Sequence, residues 1–399
     1  IIFGILLVLL VVLIGYYFLS KESTGNDGGT VSTFKNFFPF GGDEGSPEVT
    51  AEPEVTEPEN VDQPDDITKK LRKLSSEPVA GAGLLDVKAG TIVRYIEKAT
   101  GHIFEVELFS PRQGRISNTT IPKVYDAVWG NKNDSLITRY LNEEDYSVDT
   151  FSLSLKDTST TTEETISGTA FPKRIDDVTA IGNSVFYLEK NENSSVGYIS
   201  NFAGGSKKII WNSPIKELLS QYVNTKTVSL TTKPEENTDG FMYFVDTNNA
   251  TFRKILGNIK GLSTNTSPDA TKIIYLRQGN SFGLVFHDIT KKVAEVITPE
   301  TFPEKCVWST KNKDVVYCAV PKDILQSGSL TMWYKGLIQY SDDIWKYDTK
   351  NRVSEIITDL SKEGGESIDV IKPILSENEQ YIVFTNKKDN SLWSLDITN

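Results

Sequence analysis

The chain has 399 residues, 24% of them charged, and a net charge of −12. Nucleic-acid binders displace counterions from phosphates with clustered Lys and Arg, so this balance argues against a phosphate-tracking surface. With only two histidines and two cysteines the chain cannot assemble a His/Cys zinc centre, and no cofactor is expected.

Residues 1–20, "IIFGILLVLLVVLIGYYFLS", carry no charge and match the ~20 residues needed to cross a ~30 Å hydrocarbon core. Tyr16, Tyr17 and Lys21 fall where an interfacial belt belongs. A cleaved signal peptide has a shorter apolar region followed by a small-residue cleavage site, and "YYFLSKEST" offers none. The expectation is an uncleaved transmembrane helix.

Residues 21–82 read as a linker rich in Gly, Pro, Glu and Thr. From Asp43 to Asp66 it holds ten acids and no base, too little apolar surface to offset its ordering entropy. Within it "FKNFFPF" (34–40) suits contact with the membrane interface, or docking onto a partner or onto the folded domain of this chain. The basic "KKLRK" (69–73) reads as the solvated face of a short helix beginning at Asp66-Ile67-Thr68.

From about Gly83 to Asn399 the sequence turns into short alternating strands separated by turn signals, and it repeats. The best-preserved unit, "STNTSPDATKIIYLRQGNSFGLVFHDITKKVAEVIT" (263–298), aligns with "PILSENEQYIVFTNKKDNSLWSLDI" (373–397). "CVWSTKNKDVVYCAV" continues, after an insertion, into "DDIWKYDTKNRVSEIITDL" (342–360), and weaker copies begin near residues 91, 135, 181 and 240. Periods of ~40–45 residues with four strands each mean propeller blades, so the fold class expected is all-β, a seven-bladed β-propeller over 83–399. The last unit stops after its third strand. Its fourth is expected from a segment near "GAGLLDV" (81–87), which would tie the ends of the ring together.

These units resemble the WD40-like repeat of TolB-type propellers. The resemblance rests on the Ser267-Pro268-Asp269 turn before an apolar strand and on the apolar-x-x-x-Asp endings at Asp288, Asp348 and Asp396. It implies a fold and says little about function. The arrangement "WYKG…DDIWK" is similar to one in uncharacterised membrane-anchored propeller proteins of small-genome candidate-phylum bacteria, which implies the architecture and no activity.

Cys306 and Cys318 flank the turn "TKNKD" (310–314), whose centre is also their midpoint. A hairpin of that register puts them opposite one another, ~4.5–5.5 Å apart, where they can bond. A pair of buried free thiols is the other arrangement. A disulfide would be worth up to ~3 kcal/mol on the chain-entropy model and would place the propeller in an oxidising compartment, on the extracytoplasmic side.

Few residues carry chemistry. "GNSFG" (279–283) matches a nucleophile elbow, but it sits in a strand-to-strand hairpin and has no later activating histidine beyond His287. His102 and His287 read as surface or satisfied histidines. "NKNDS" and "YSDD" could supply oxygens to calcium but lack EF-hand spacing. The stretch that breaks the repeat is "PKDILQSGSLTMWYKGLIQY" (321–340), where a hairpin loop should be two to five residues long. Pro321–Leu325 could begin a short helix. Trp333, Tyr334 and Lys335 are residue types enriched at binding hot spots, so they either pack on the blade to pin the loop or form a recognition loop. Trp129, Trp211, Trp308, Trp345 and Trp393 fall on strands and suit packing between blades.

The role expected is non-catalytic: a membrane-anchored platform for an envelope protein or glycan. A propeller lyase or glycosidase is one alternative. A subunit of a pilus-like assembly is another, disfavoured because Ile5 stands where the pilin pattern has Glu.

Overall fold

A computed structural model describes residues 67–117, 119–142, 146–156, 165–278 and 282–398. The expected membrane span at 1–20 and the acidic tether lie outside the described residues; among the described residues no helix is long and apolar enough to cross a membrane.

Short strands with alternating apolar residues can each bury one face only, and here they pair into seven antiparallel four-stranded sheets among the described residues. In chain order the blades span 79–115, 124–170, 175–213, 218–260, 263–297 and 306–359. The seventh takes 370–396 and closes with Leu71–Lys73 as its outermost strand. The core lies between neighbouring blades. Phe186, Leu188, Ile210 and Trp211 of blade 3 pack on Leu218, Tyr222 and Val228 of blade 4. Ile274, Leu284 and Phe286 of blade 5 pack on Trp308, Val316 and Tyr347 of blade 6. The five strand tryptophans expected at these positions all stand on strands.

The innermost strands of blades 1 and 2 approach closely: a side chain on Gly81 would put its Cβ 2.2 Å from the Ala127 carbonyl oxygen. Aspartates at the ends of the third strands start the next turn. Asp288 Oδ1 accepts from the main-chain N–H of Thr290 and Lys291 at 3.0 and 2.9 Å. Asp348 and Asp396 do the same for Lys350, Asn351 and Thr398. The repeat aspartates are therefore turn formers.

Closure differs from the sequence expectation. The fourth strand of blade 7 comes from the basic run, with Leu71 opposite Leu395, Arg72 opposite Ser394 and Lys73 opposite Trp393. Residues 81–87 belong instead to the innermost strand of blade 1 (Val79–Val87). The run expected as a solvated helix is thus a strand, and propeller residues precede the expected start at Gly83. What misleads is reading charge as exposure. Arg72 is buried and donates from Nη1 to the Leu108 carbonyl at 3.1 Å, and the Lys73 ammonium lies 5.4 Å from the Trp393 ring centre.

Because strands alternate in direction, the first-to-second and third-to-fourth turns of each blade share one face of the ring, the turn face. The second-to-third connections and the links between blades share the other, the connection face. The chain enters strand Leu71–Lys73 on the turn face, since Leu71 pairs near the end of the third strand, Leu392–Asp396.

Cys306 and Cys318 are register partners on the first two strands of blade 6 and form a disulfide. Both are buried. Alkylation of the unfolded protein without reductant is expected to leave both unmodified, and uptake of two labels would disprove the bond. Replacing both by Ala should lower unfolding stability by up to ~3 kcal/mol in a denaturant titration.

Candidate functional site

The insertion joins the second strand of blade 6 (Val315–Pro321) to the third (Asp342–Asp348) on the connection face. Its helix covers Ser329–Tyr334, not the expected Pro321–Leu325. Gly328 precedes it at φ 86°, a left-handed conformation open to glycine, and its N–H donates to Gln278 Oε1 at 2.9 Å. Leu325, Leu330 and Tyr340 are buried against Phe302 and Leu276.

Trp333 points inward. It is 3% exposed, its ring centre lies 5.2 Å from that of Phe302, and its indole N–H donates to both Asp369 carboxylate oxygens at 3.0 and 3.1 Å. Asp369 also accepts from Lys305 Nζ at 2.5 Å and from the Tyr340 N–H at 3.0 Å. The same Lys305 donates to Asp342 Oδ2 at 2.5 Å, and all three charged side chains are fully enclosed. Lys305 comes from the turn Pro303–Lys305 that enters blade 6, Asp342 from that blade's third strand, and Asp369 from the residue ahead of blade 7. One cation thus joins blade 6, blade 7 and, through Trp333, the insertion.

Two carboxylates share that cation, which leaves an excess negative charge in a dry place. Burial pushes Asp342 up to about 6, against the pull of Lys305 and with a further push from Asp369. Its Oδ1 is buried without a hydrogen-bond partner. Alongside, Glu304 Oε1 accepts from Ser263 Oγ at 2.5 Å and from the Tyr334 hydroxyl. Burial raises Glu304, opposed by those two bonds; burial and Glu304 raise Tyr334.

The three residues singled out in the sequence therefore separate. Trp333 is an anchor, Tyr334 is half-exposed with its hydroxyl held by Glu304, and Lys335 faces solvent. Elsewhere in the insertion Ile324 and Leu337 are 86% and 70% exposed, and Met332 is exposed as well. Sequence reading missed Lys305, Asp342, Asp369 and Glu304. The one signal was "YSDD", read as a source of calcium oxygens; Asp342 instead holds Lys305, and Asp343 meets Lys322 at 3.2 Å. Of "GNSFG", Gly279 to Ser281 lie outside the described residues, and the strands on either side pair antiparallel. His102 sits in a turn and His287 on a strand, and burial lowers both imidazoles.

No protein-family model and no curated protein matches the chain. Solved structures do. The β-propeller domain of the Trilobed protease from Pyrococcus furiosus is 12% identical with a TM-score of 0.50, over 79% of this chain and 95% of that one. The tricorn protease is 10% identical with a TM-score of 0.51, over 90% of this chain but only 35% of that one. TolB from Acinetobacter baumannii is 12% identical with a TM-score of 0.41, over 80% and 79%. At such identities the likeness is one of fold. The TolB-type resemblance of the repeats and the seven-bladed ring agree at that level. The Trilobed propeller is described as having an open velcro topology, whereas here Leu71–Lys73 completes blade 7.

Lys305→Met strands two enclosed carboxylates without their cation and should cost ~3–5 kcal/mol in urea unfolding at neutral pH; a loss within measurement error would show that the cluster is not ionised. Asp342 gives a pH signature of definite sign. Its folded value lies above the unfolded 3.8, so between about pH 4 and 6 the folded chain keeps a proton that the unfolded chain releases. Stability then falls as pH rises through that window, by up to ~3 kcal/mol from this group, and Asp342→Asn should flatten the profile there.

Proposed function

We propose that the protein is a single-pass membrane protein whose propeller lies on the extracytoplasmic side and serves as a non-catalytic platform for an envelope protein, engaged through the insertion of blade 6. The observation that carries this is the contrast within the insertion. Its inner residues fix it to two blades through Trp333, Asp369 and Lys305, while Ile324, Met332 and Leu337 stand out to solvent. A short aliphatic surface held rigidly has little ordering entropy left to lose when it is covered, which suits a protein contact. A glycan platform would want free, exposed flat rings, whereas Trp333 is turned inward and the half-exposed Tyr334 is tied by its hydroxyl to Glu304. The uncharged run at 1–20 supports the anchor, and the Cys306–Cys318 bond supports an oxidising compartment.

The second reading is a propeller enzyme, since propeller proteases share this fold. Against it, the acids of the connection face described above hold cations or hydroxyl groups of their own chain: Asp342 and Asp369 hold Lys305, and Glu304 holds Tyr334 and Ser263. A subunit of a pilus-like assembly would require the apolar run to pack on copies of itself.

A photoreactive residue at Leu337 in intact cells is expected to crosslink to one protein of fixed mass, whereas one at Val296, on the outer rim of blade 5, is not. Ile324→Asp with Met332→Asp should abolish that adduct. Equal yields at the two positions, or an adduct indifferent to the double substitution, would overturn the reading.

A further inference from the structure

Every fourth strand of a blade starts on the turn face, so its first residues stand where the outer rim meets that face. In blades 3 to 6 these strands are Lys208–Ser213, Phe252–Lys260, Val293–Ile297 and Val353–Asp359. Each carries a large apolar residue at its first or second position, and all four, Ile209, Phe252, Val293 and Val353, stand exposed. Two exposed bases accompany each one: Lys207 and Lys208, Arg253 and Lys254, Lys291 and Lys292, and Lys350 and Arg352. The corresponding strands of blades 1, 2 and 7 begin at Gln113, Thr165 and Leu71, and Leu71 is buried.

The four positions are contiguous along the rim. Blades 3 and 4, 4 and 5, and 5 and 6 share apolar cores. Lys208 Nζ donates at 2.9 Å to the Thr247 carbonyl, in the turn ahead of Phe252, and Arg352 pairs with Glu295 of blade 5.

The charge along this edge stays positive once its acids are counted. Lys207 meets Glu189, Lys291 meets Asp288 and Arg352 meets Glu295. Lys208, Arg253, Lys254, Lys292 and Lys350 meet no carboxylate among the described residues. The remaining acids of these turns, Asp246 and Asp348, accept from main-chain N–H groups of their own turns. The first-to-second turns alongside add Lys226, Lys311 and Lys313 against Asp269, with Asp314 held by Lys272. Lysine on a sheet edge discourages pairing with another chain, but that role needs no exposed apolar residue beside it.

Bases set beside protruding aliphatic and aromatic side chains fit the boundary of an anionic bilayer. The apolar groups enter the acyl edge, and the ammonium groups stay among the lipid phosphates. The strand Leu71–Lys73 is entered from the turn face, so the chain ahead of it arrives on this same side. We propose that the turn-face edge of blades 3 to 6 is a lipid-binding surface that lies on an anionic membrane. The inference rests on the reading of residues 1–20 as a membrane span, which supplies the bilayer. In this pose the insertion of blade 6, on the connection face, is turned away from the lipid.

The test uses the full chain in lipid nanodiscs holding one copy each, made of phosphatidylcholine alone or of an equimolar mixture with phosphatidylglycerol. A nitroxide is attached at Val293→Cys or at Leu337→Cys, the native cysteines being closed in their disulfide, and its collisions with a water-soluble nickel chelate are measured. Val293→Cys is expected to be roughly fivefold less accessible in anionic than in neutral discs, while Leu337→Cys is equally accessible in both. High salt, or Lys254→Gln with Lys292→Gln and Lys350→Gln, should restore access. Equal access at Val293→Cys in the two discs, shielding that survives the triple substitution, or shielding of Leu337→Cys to the same extent would overturn the surface. Retention of the chain by the discs reads the span separately. Retention by both lipids without shielding leaves the anchor standing and removes this contact, retention by anionic discs alone does the reverse, and retention by neither overturns both.

Discussion

A four-stranded antiparallel sheet cannot bury both of its faces, and a row of such sheets leaves two ends unburied unless the row closes. Everything else in this molecule depends on that closure. It is made by three residues, Leu71 to Lys73, taken from ahead of the first blade and laid against the third strand of the last. Leu71 then joins Ile344, Ile382 and Trp393 in the core between blades 6 and 7. Without the strand, that core would lose its outer wall and the Trp393 ring its cover.

The second constraint is electrostatic and local. Enclosing Lys305 with two aspartates carries a desolvation penalty that apolar residues of similar volume would avoid, so the cluster is weak support for stability. Geometry is what it supplies. The turn before blade 6, the third strand of that blade, the entry to blade 7 and the indole of Trp333 all converge on one ammonium group. A 20-residue insertion that would otherwise have many poses is held in one, and its aliphatic residues are presented outward from a fixed base.

Much of the architecture was legible from repeats. Blade 5 and the three strands 370–396 follow the sequence units closely because alternation and turn aspartates are local signals. The hairpin register of Cys306 and Cys318 was legible from the symmetry of one turn. What was not legible depends on distance. Nothing in "KKLRK" says that Arg72 will be covered by the carbonyl of Leu108 in the next blade, so its charges read as solvated. Likewise Trp333 and Tyr334 are adjacent in sequence but only the first is buried, which is settled by Asp369, 36 residues further on. The aspartates and lysines of the connection face carry no motif of their own, and only the ring brings them together.

The closing strand also decides how the molecule bears load. It begins on the turn face and runs antiparallel to Leu392–Asp396, so tension arriving through the chain ahead of residue 71 acts along the strand axis. The three register pairs, bracketed by the main-chain bonds from Leu74 N to Leu392 O and from Asp396 N to Lys70 O, are then strained together in shear and are not peeled one by one. The insertion lies on the far face, so a pull between it and the N-terminal segment runs through the thickness of the ring. The shortest strand in the last blade is thereby its mechanical clasp.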